Sequence, residues 1–278
     1  MDFDKVKLLL HLDSGAVTTD SSNDPKTIIQ YNTVPEITGV FSGGIDCGAG
    51  YLYTTYHSDY DFGTNDFTID LRIRLSSTSI RQGLLSTADP GTTHTGWNLE
   101  FSNVVGLRFI QDDTVVVSQA SSAGWSTGVW YHIAIVRSGN TFSLYRDGNL
   151  LTSDTFSGAI NANLDRYLRI GATGTTALTY AEYTGDFDEI RIVNGEAAWT
   201  GEFTPPEEPY PLSTISGYTN IGNVRVLILN ESDWSLESNT VLENSGNYSI
   251  DCGLGTKTVV AITSDESPIV KGNITPSS

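Results

Sequence analysis

The chain has 278 residues, a formal net charge of −18 and a sequence pI near 4.3. A surface this acidic repels phosphate backbones, which excludes nucleic acid as an expected partner. No stretch approaches the ~20 apolar residues of a membrane-spanning helix, and Met1-Asp2-Phe3-Asp4-Lys5 has neither the basic nor the apolar region of a secretory signal, so neither membrane insertion nor signal-directed export is expected.

Cys47 and Cys252 are the only cysteines and fall in what read as separate domains, so neither a disulfide nor a zinc site is expected. No long run carries a 3.6-residue apolar period, while Thr, Val, Ile and Tyr dominate the apparent elements, so the class is all-β.

In chain order, residues 5–12 read as a strand and 13–32 as a polar loop with a short strand at 27–30. The glycine-rich stretch 39–50 leads into a short strand at 50–53. Phe67, Ile69, Leu71, Ile73 and Leu75 alternate with Thr68, Asp70, Arg72 and Arg74, which predicts a strand with one buried face and one polar outer face. Burying each of those five side chains contributes roughly 1.5–3 kcal/mol before conformational entropy is subtracted. Further strands are expected at 83–86, 97–102, 105–111, 114–119, 167–172 and 187–193. Between them lies the most informative stretch: apolar runs from Trp130 and to Arg146 flank Ser138-Gly139-Asn140-Thr141, and Asp147-Gly148 follows. Turn residues that tolerate positive φ between aromatic and β-branched runs predict a hairpin and then a second tight turn. Trp97 and Trp130 open alternating strands and are expected in the core. Trp125 and Trp199 lie in loops, where an exposed ring and packing against the rim both remain open.

Turn signals recur roughly every eight to fourteen residues, the rhythm of a sandwich or jelly roll. Thr204-Pro205-Pro206-Glu207-Glu208-Pro209-Tyr210-Pro211 breaks it, because prolines cannot donate to a central ladder and favour extended geometry. The expected organisation is therefore a jelly roll over residues 1–204, a proline-rich connector at 205–212 and a small β-sandwich over 213–278. Part of the connector packing back on the first domain is the alternative. In the second domain, strands are expected at 224–229, 235–242, 246–250, 257–263 and 269–274.

Several ordered motifs carry a family resemblance: Leu8-Leu9-Leu10-His11-Leu12-Asp13, Asp61-Phe62-Gly63-Thr64-Asn65-Asp66-Phe67, Trp130-Tyr131-His132-Ile133-Ala134-Ile135-Val136-Arg137, Tyr183-Thr184-Gly185-Asp186-Phe187-Asp188-Glu189 and Phe203-Thr204-Pro205-Pro206. Together, over residues 5–212, they resemble the laminin-G-like branch of the concanavalin A-like lectin/glucanase superfamily, as found in bacteriophage tail and other virion proteins. That resemblance implies a jelly roll of two antiparallel sheets used for binding glycan or protein. Val224-Arg225-Val226 and Gly246-Asn247-Tyr248-Ser249-Ile250 resemble transthyretin-like or carboxypeptidase-regulatory-like (Ig-like) sandwiches.

The superfamily includes glucanases, whose acidic residues alternate along one strand so that one carboxylate attacks while another protonates the leaving group. The nearest match here places Asp186 and Asp188 on one face with Ile190 and Ile192, and Glu189 on the other. The third acid is lacking, so no enzyme and no catalytic residue is expected. Asp188 among isoleucines needs a compensating partner: backbone N–H groups, an arginine, or Ca²⁺, for which Asp186 and Asp188 are the candidate ligands. His132 reads as structural. The loops 14–24, 87–96 and 173–183 offer the binding surface, with His94, Trp125, Tyr180 and Tyr183 as candidate ligand-binding residues.

An extracellular-type sandwich without signal peptide or disulfides fits a virion protein, made in the host cytoplasm and exposed after lysis. The expected role is tail, fibre or accessory adhesion to host-surface glycan or to other virion proteins, as a symmetric homo-oligomer. A capsid decoration protein, a secreted carbohydrate-binding module and a glycoside hydrolase are the alternatives.

Overall fold

The computed structural model describes residues 3–88, 95–163, 167–174 and 180–210, together with the strands of the C-terminal part. The side chains of 174, 180, 181 and of all residues from 211 onward lie outside that description. The chain divides into two units, one comprising chiefly Lys5–Asp20 and Lys26–Pro209, the other Asp2–Asp4, Ser21–Pro25 and Tyr210–Ser278.

In the first unit the strands are β1 (Val6–Leu10), β2 (Ile29–Asn32), β3 (Glu36–Thr38), β4 (Gly43–Asp46), β5 (Gly50–Thr55), β6 (Phe67–Arg74), β7 (Gln82–Ser86), β8 (Trp97–Ser102) and β9 (Gly106–Gln111). They continue with β10 (Thr114–Ser118), β11 (Trp130–Ser138), β12 (Thr141–Arg146), β13 (Asn149–Thr155), β14 (Tyr167–Ile170), β15 (Ala172–Gly174), β16 (Tyr180–Glu182) and β17 (Asp186–Asn194). One sheet runs β13-β12-β11-β6-β17-β4-β3, with β1 also paired to β17; the other runs β10-β9-β8-β7-β14-β5-β2, and β15 pairs with β16. All pairings are antiparallel. The two main sheets form the expected jelly-roll sandwich.

The core between them is built by the predicted alternation. Phe67, Ile69, Leu71, Ile73 and Leu75 are fully buried. At one end Phe62 stacks on Phe67 with centroids 4.2 Å apart and lies 5.5 Å from Trp97, whose Nε1 donates to the Tyr60 carbonyl at 3.0 Å. An indole buried this deeply needs such an acceptor, since an unmet N–H costs free energy. The hairpin also forms as read: Ser138 pairs with Thr141, and Asp147 (φ 51°) and Gly148 (φ 76°) make the next turn to β13.

The outer face of β6 differs from expectation. Thr68 and Asp70 are fully buried rather than solvated, because the segment after β17 folds back across this sheet. Trp199 stacks on Phe203 with centroids 3.8 Å apart, and both pack on Ala134, Val136 and Tyr145. Phe203 N–H donates to the Gly148 carbonyl at 3.0 Å, an approach only glycine permits, since a Cβ at 148 would stand 1.7 Å from the Phe203 oxygen. Arg72 donates to the Pro206 carbonyl, so the proline segment is fastened to the first unit at least to that point. Trp130, expected in the core, is only half buried and lies beneath the Arg74 guanidinium at 4.9 Å.

Among the described residues the second unit holds β18 (Thr214–Thr219), β19 (Val224–Asn230), β20 (Leu236–Leu242), β21 (Gly246–Asp251), β22 (Lys257–Ile262) and β23 (Pro268–Ile274). β18 pairs with β21, and the other four run β20-β19-β22-β23. β18 was not among the expected strands.

Candidate functional site: a tyrosine-lined groove

The residues singled out from sequence do not come together. Trp125 is buried: its Nε1 donates to Gln119 Oε1 at 3.1 Å, its ring meets Phe101 and Tyr131 edge-on, and Arg146 caps it at 4.8 Å. Tyr183 is fully buried, its hydroxyl between the Arg74 and Asp186 carbonyls and its ring 4.4 Å from Phe187. Burial raises its phenol well above the usual tyrosine range. Both therefore leave the set of ligand-binding candidates, because neither has a ring face open to a ligand. His94 and the side chain of Tyr180 lie outside the described residues.

Asp188 corrects the assignment of faces along β17. The register shifts between Asp188 and Arg191, so that Glu189 and Ile190 lie between residues paired across β6, and Glu189 takes φ 47°. This β-bulge turns the alternation over. Phe187, Ile190 and Ile192 face the core, whereas Asp188 and Arg191 lie on the outer face opposite Arg72 and Asp70. Asp188 Oδ2 accepts from the Val40 and Phe41 N–H groups at 2.6 and 3.3 Å. Asp186 is ion-paired with Arg74, and Glu189 with His11 at 2.7 Å. Each acid thus has its own partner. Among the described residues Asp186 and Asp188 belong to no set of three His, Cys, Asp or Glu side chains with ligand atoms within 4.8 Å of one another, whereas Ca²⁺ takes about six to eight oxygens.

The other sheet carries a constellation that sequence reading missed. On its outer face Tyr31 of β2 pairs with Tyr51 of β5, and Tyr53 of β5 lies between Ile29 and Arg169 of β14. Paired residues share a face, so three strands deliver Tyr31, Tyr51, Tyr53, Tyr167 and Arg169 to one place. These five line a groove of about 190 Å³. Tyr31 and Tyr51 stack at 4.7 Å, and Tyr53 meets Tyr167 edge-on at 5.1 Å. Tyr31 and Tyr167 are 47% and 41% exposed, far more than aromatic rings in a core. Arg169 is only 2% exposed; one Nη donates to the Ala88 carbonyl at 3.2 Å and its Cζ lies 5.6 Å from the Tyr167 ring.

The middle of the same face is closed. Glu100 is fully buried between Arg81 and Arg108, which neutralise it. Thr173 of β15 covers β7, hydrogen-bonded to Ser86 and Asn98, and Gly83 makes room for it, since a Cβ there would lie 2.5 Å from Thr173. The tyrosines thus line an open groove beside a closed surface. Aromatic rings with phenol hydroxyls supply apolar faces together with directional donors and acceptors.

Comparison with known proteins places this geometry in context. A laminin G model described as the concanavalin A-like lectin/glucanases superfamily matches residues 46–200. No curated protein sequence matches the chain. Among solved structures, HCR/D-Sa-GBL1/C superposes with a TM-score of 0.56 at 11% identity, covering 97% of this chain and 74% of that one. The botulinum neurotoxin serotype D binding domain gives 0.54 at 12% identity, with coverage of 97% and 74%. The binding domain of Paraclostridial Mosquitocidal Protein 1 gives 0.51 at 14% identity, with coverage of 99% and 73%. Identities this low show a common fold. The family match spans more than half of the sequence, and the sandwich is of the corresponding kind: the chain belongs to the concanavalin A-like lectin/glucanases superfamily.

Proposed function

We propose that this chain is a non-enzymatic recognition module that binds saccharide in the tyrosine groove of β2, β5 and β14. The observation that carries the reading is the pair of exposed rings, Tyr31 and Tyr167, set beside a buried arginine. Sugar C–H bonds carry slight positive charge and lie well against the negative face of an aromatic ring, while hydroxyls need directional partners. The pairing of Asp186, Asp188 and Glu189 with separate partners argues against two-carboxylate hydrolysis, which needs a free acid and a free nucleophile facing one bond. The setting we favour is a phage virion, where several copies in one symmetric appendage raise avidity for a host-surface glycan without new contacts.

The test is a glycan array probed with the wild type and with the Tyr31→Ala/Tyr167→Ala double variant. Both rings are substantially exposed, so little stability should be lost. At about 0.5–1.5 kcal/mol for each of two aromatic contacts, binding should weaken by roughly 5- to 150-fold. Unchanged binding by the variant, or release of reducing ends by the wild type, contradicts the proposal. Immunogold labelling of phage particles separates a tail or fibre location from capsid decoration, and absence of label from particles supports a secreted binding module instead.

A further inference from the structure

We infer that the groove takes an extended stretch of glycan lying across the sheet from Tyr31 to Tyr167, an inference that rests on the saccharide reading above. The first reason is register. Tyr31 pairs with Tyr51 and Tyr167 with Thr55, on opposite sides of β5. The two positions are therefore four residues apart along β5 and two strand spacings apart across it. With ~3.4 Å per residue and ~4.8 Å between strands, their backbones stand about 16 Å apart, the length of roughly three linked sugars. A pyranose is about as wide as a phenol ring, so no single sugar reaches both.

The second reason is that aromatic rings pave the space between. The centroid steps are 4.7 Å from Tyr31 to Tyr51, 6.3 Å on to Tyr53 and 5.1 Å on to Tyr167. All four rings line one groove. Exposure is greatest at its two ends: Tyr31 and Tyr167 stand open, whereas Tyr51 between them is 8% exposed. A glycan seated on both outer rings therefore passes over the inner two. The third reason is the open side. β2 is the outermost strand of this sheet and all four of its residues are exposed, so a chain can run on past Tyr31. Once one sugar has bound, each linked neighbour adds its contact without a second loss of translational freedom. The recognised unit is then a run of the chain and not one terminal sugar.

The experiment is calorimetric titration of the wild type, Tyr31→Ala and Tyr167→Ala. The probes are methyl glycosides of glucose, xylose, galactose and N-acetylglucosamine, and linear di-, tri-, tetra- and hexasaccharides of the same sugars. In the series that binds, wild-type affinity should rise about tenfold or more from methyl glycoside to tetrasaccharide and level off by the hexasaccharide. Each single variant should weaken tetrasaccharide binding by about 2- to 12-fold, the loss of one aromatic contact. A methyl glycoside that binds within about threefold of its tetrasaccharide, or a tetrasaccharide sensitive to only one of the two variants, overturns the extended site while leaving saccharide recognition intact. Binding of none of these probes, together with a blank glycan array, overturns both.

Discussion

Asp70→Ala should destabilise the first unit by about 3–5 kcal/mol, the cost of breaking a buried ion pair by removing one partner. Asp70 is fully buried, its Oδ1 accepting from Arg191 Nε at 2.8 Å and its Oδ2 facing His132 Nε2 at 3.2 Å. Trp199 and Phe203 cover the group: the Arg191 Cζ lies 5.4 Å from the Trp199 ring, and both rings meet His132 edge-on. Without Asp70 the Arg191 charge would stay beneath this apolar lid with its carboxylate gone. In urea denaturation the midpoint should fall with little change in slope, and Asp70→Leu/Arg191→Met should recover most of the loss, because an apolar pair can replace a buried ionic one. A loss under about 1 kcal/mol in the single variant would show that water reaches this face.

The protein should also become more stable as the pH falls from 8 toward 5. Burial raises the Asp188 carboxyl to about 6, with the Glu189 charge adding to the shift and the Val40 and Phe41 N–H groups opposing it. In the unfolded chain the group titrates near 3.9, so between about pH 4 and 6 the folded state binds the extra proton and stability falls as pH rises through that window. His11 acts in the same direction. Burial lowers its pKa, but the Glu189 hydrogen bond and the charges of Glu189, Asp13 and Asp188 outweigh that effect and leave it raised. Its stabilisation is fully present below about 6.5 and is lost as pH rises through the higher folded value. A carboxyl moved from 3.8 to about 6 corresponds to roughly 3 kcal/mol at neutral pH. Asp188→Asn should therefore raise the melting temperature at pH 8 and flatten its dependence between pH 4 and 7. A variant that melts lower at pH 8 with an unchanged pH profile would mean that the negative charge at the Val40–Phe41 turn stabilises more than its burial costs.

Much of the sandwich was legible because its signals are local. The strand at 67–74 follows from period-two alternation, and the hairpin from turn residues between two β-branched runs. β13 was missed because residues 149–155 form an edge strand with little burial and so no apolar alternation. The burial of Asp70 was also hidden, since its cover comes from residues 197–206, which have no strand or helix pattern of their own. The face of Asp188 was misread because one residue, Glu189, takes positive φ and reverses the alternation, and nothing in its side chain announces that.

The groove is a harder case. Tyr51 and Tyr53, and likewise Tyr167 and Arg169, stand two apart, which places each pair on one face. Either pair alone is what any amphipathic strand shows. Only the sheet order β14-β5-β2 joins them, together with Tyr31, and that order is set by long-range pairing rather than by local sequence.

Backbone amide shift mapping with the best saccharide from the array, at saturating concentration, bears most directly on the assignment of the recognition surface. Perturbed amides should cluster at residues 29–31, 51–53 and 167–169. Perturbations centred instead on Arg74 and Trp130 of the opposite sheet, or on residues 95–96 just before β8, would contradict it.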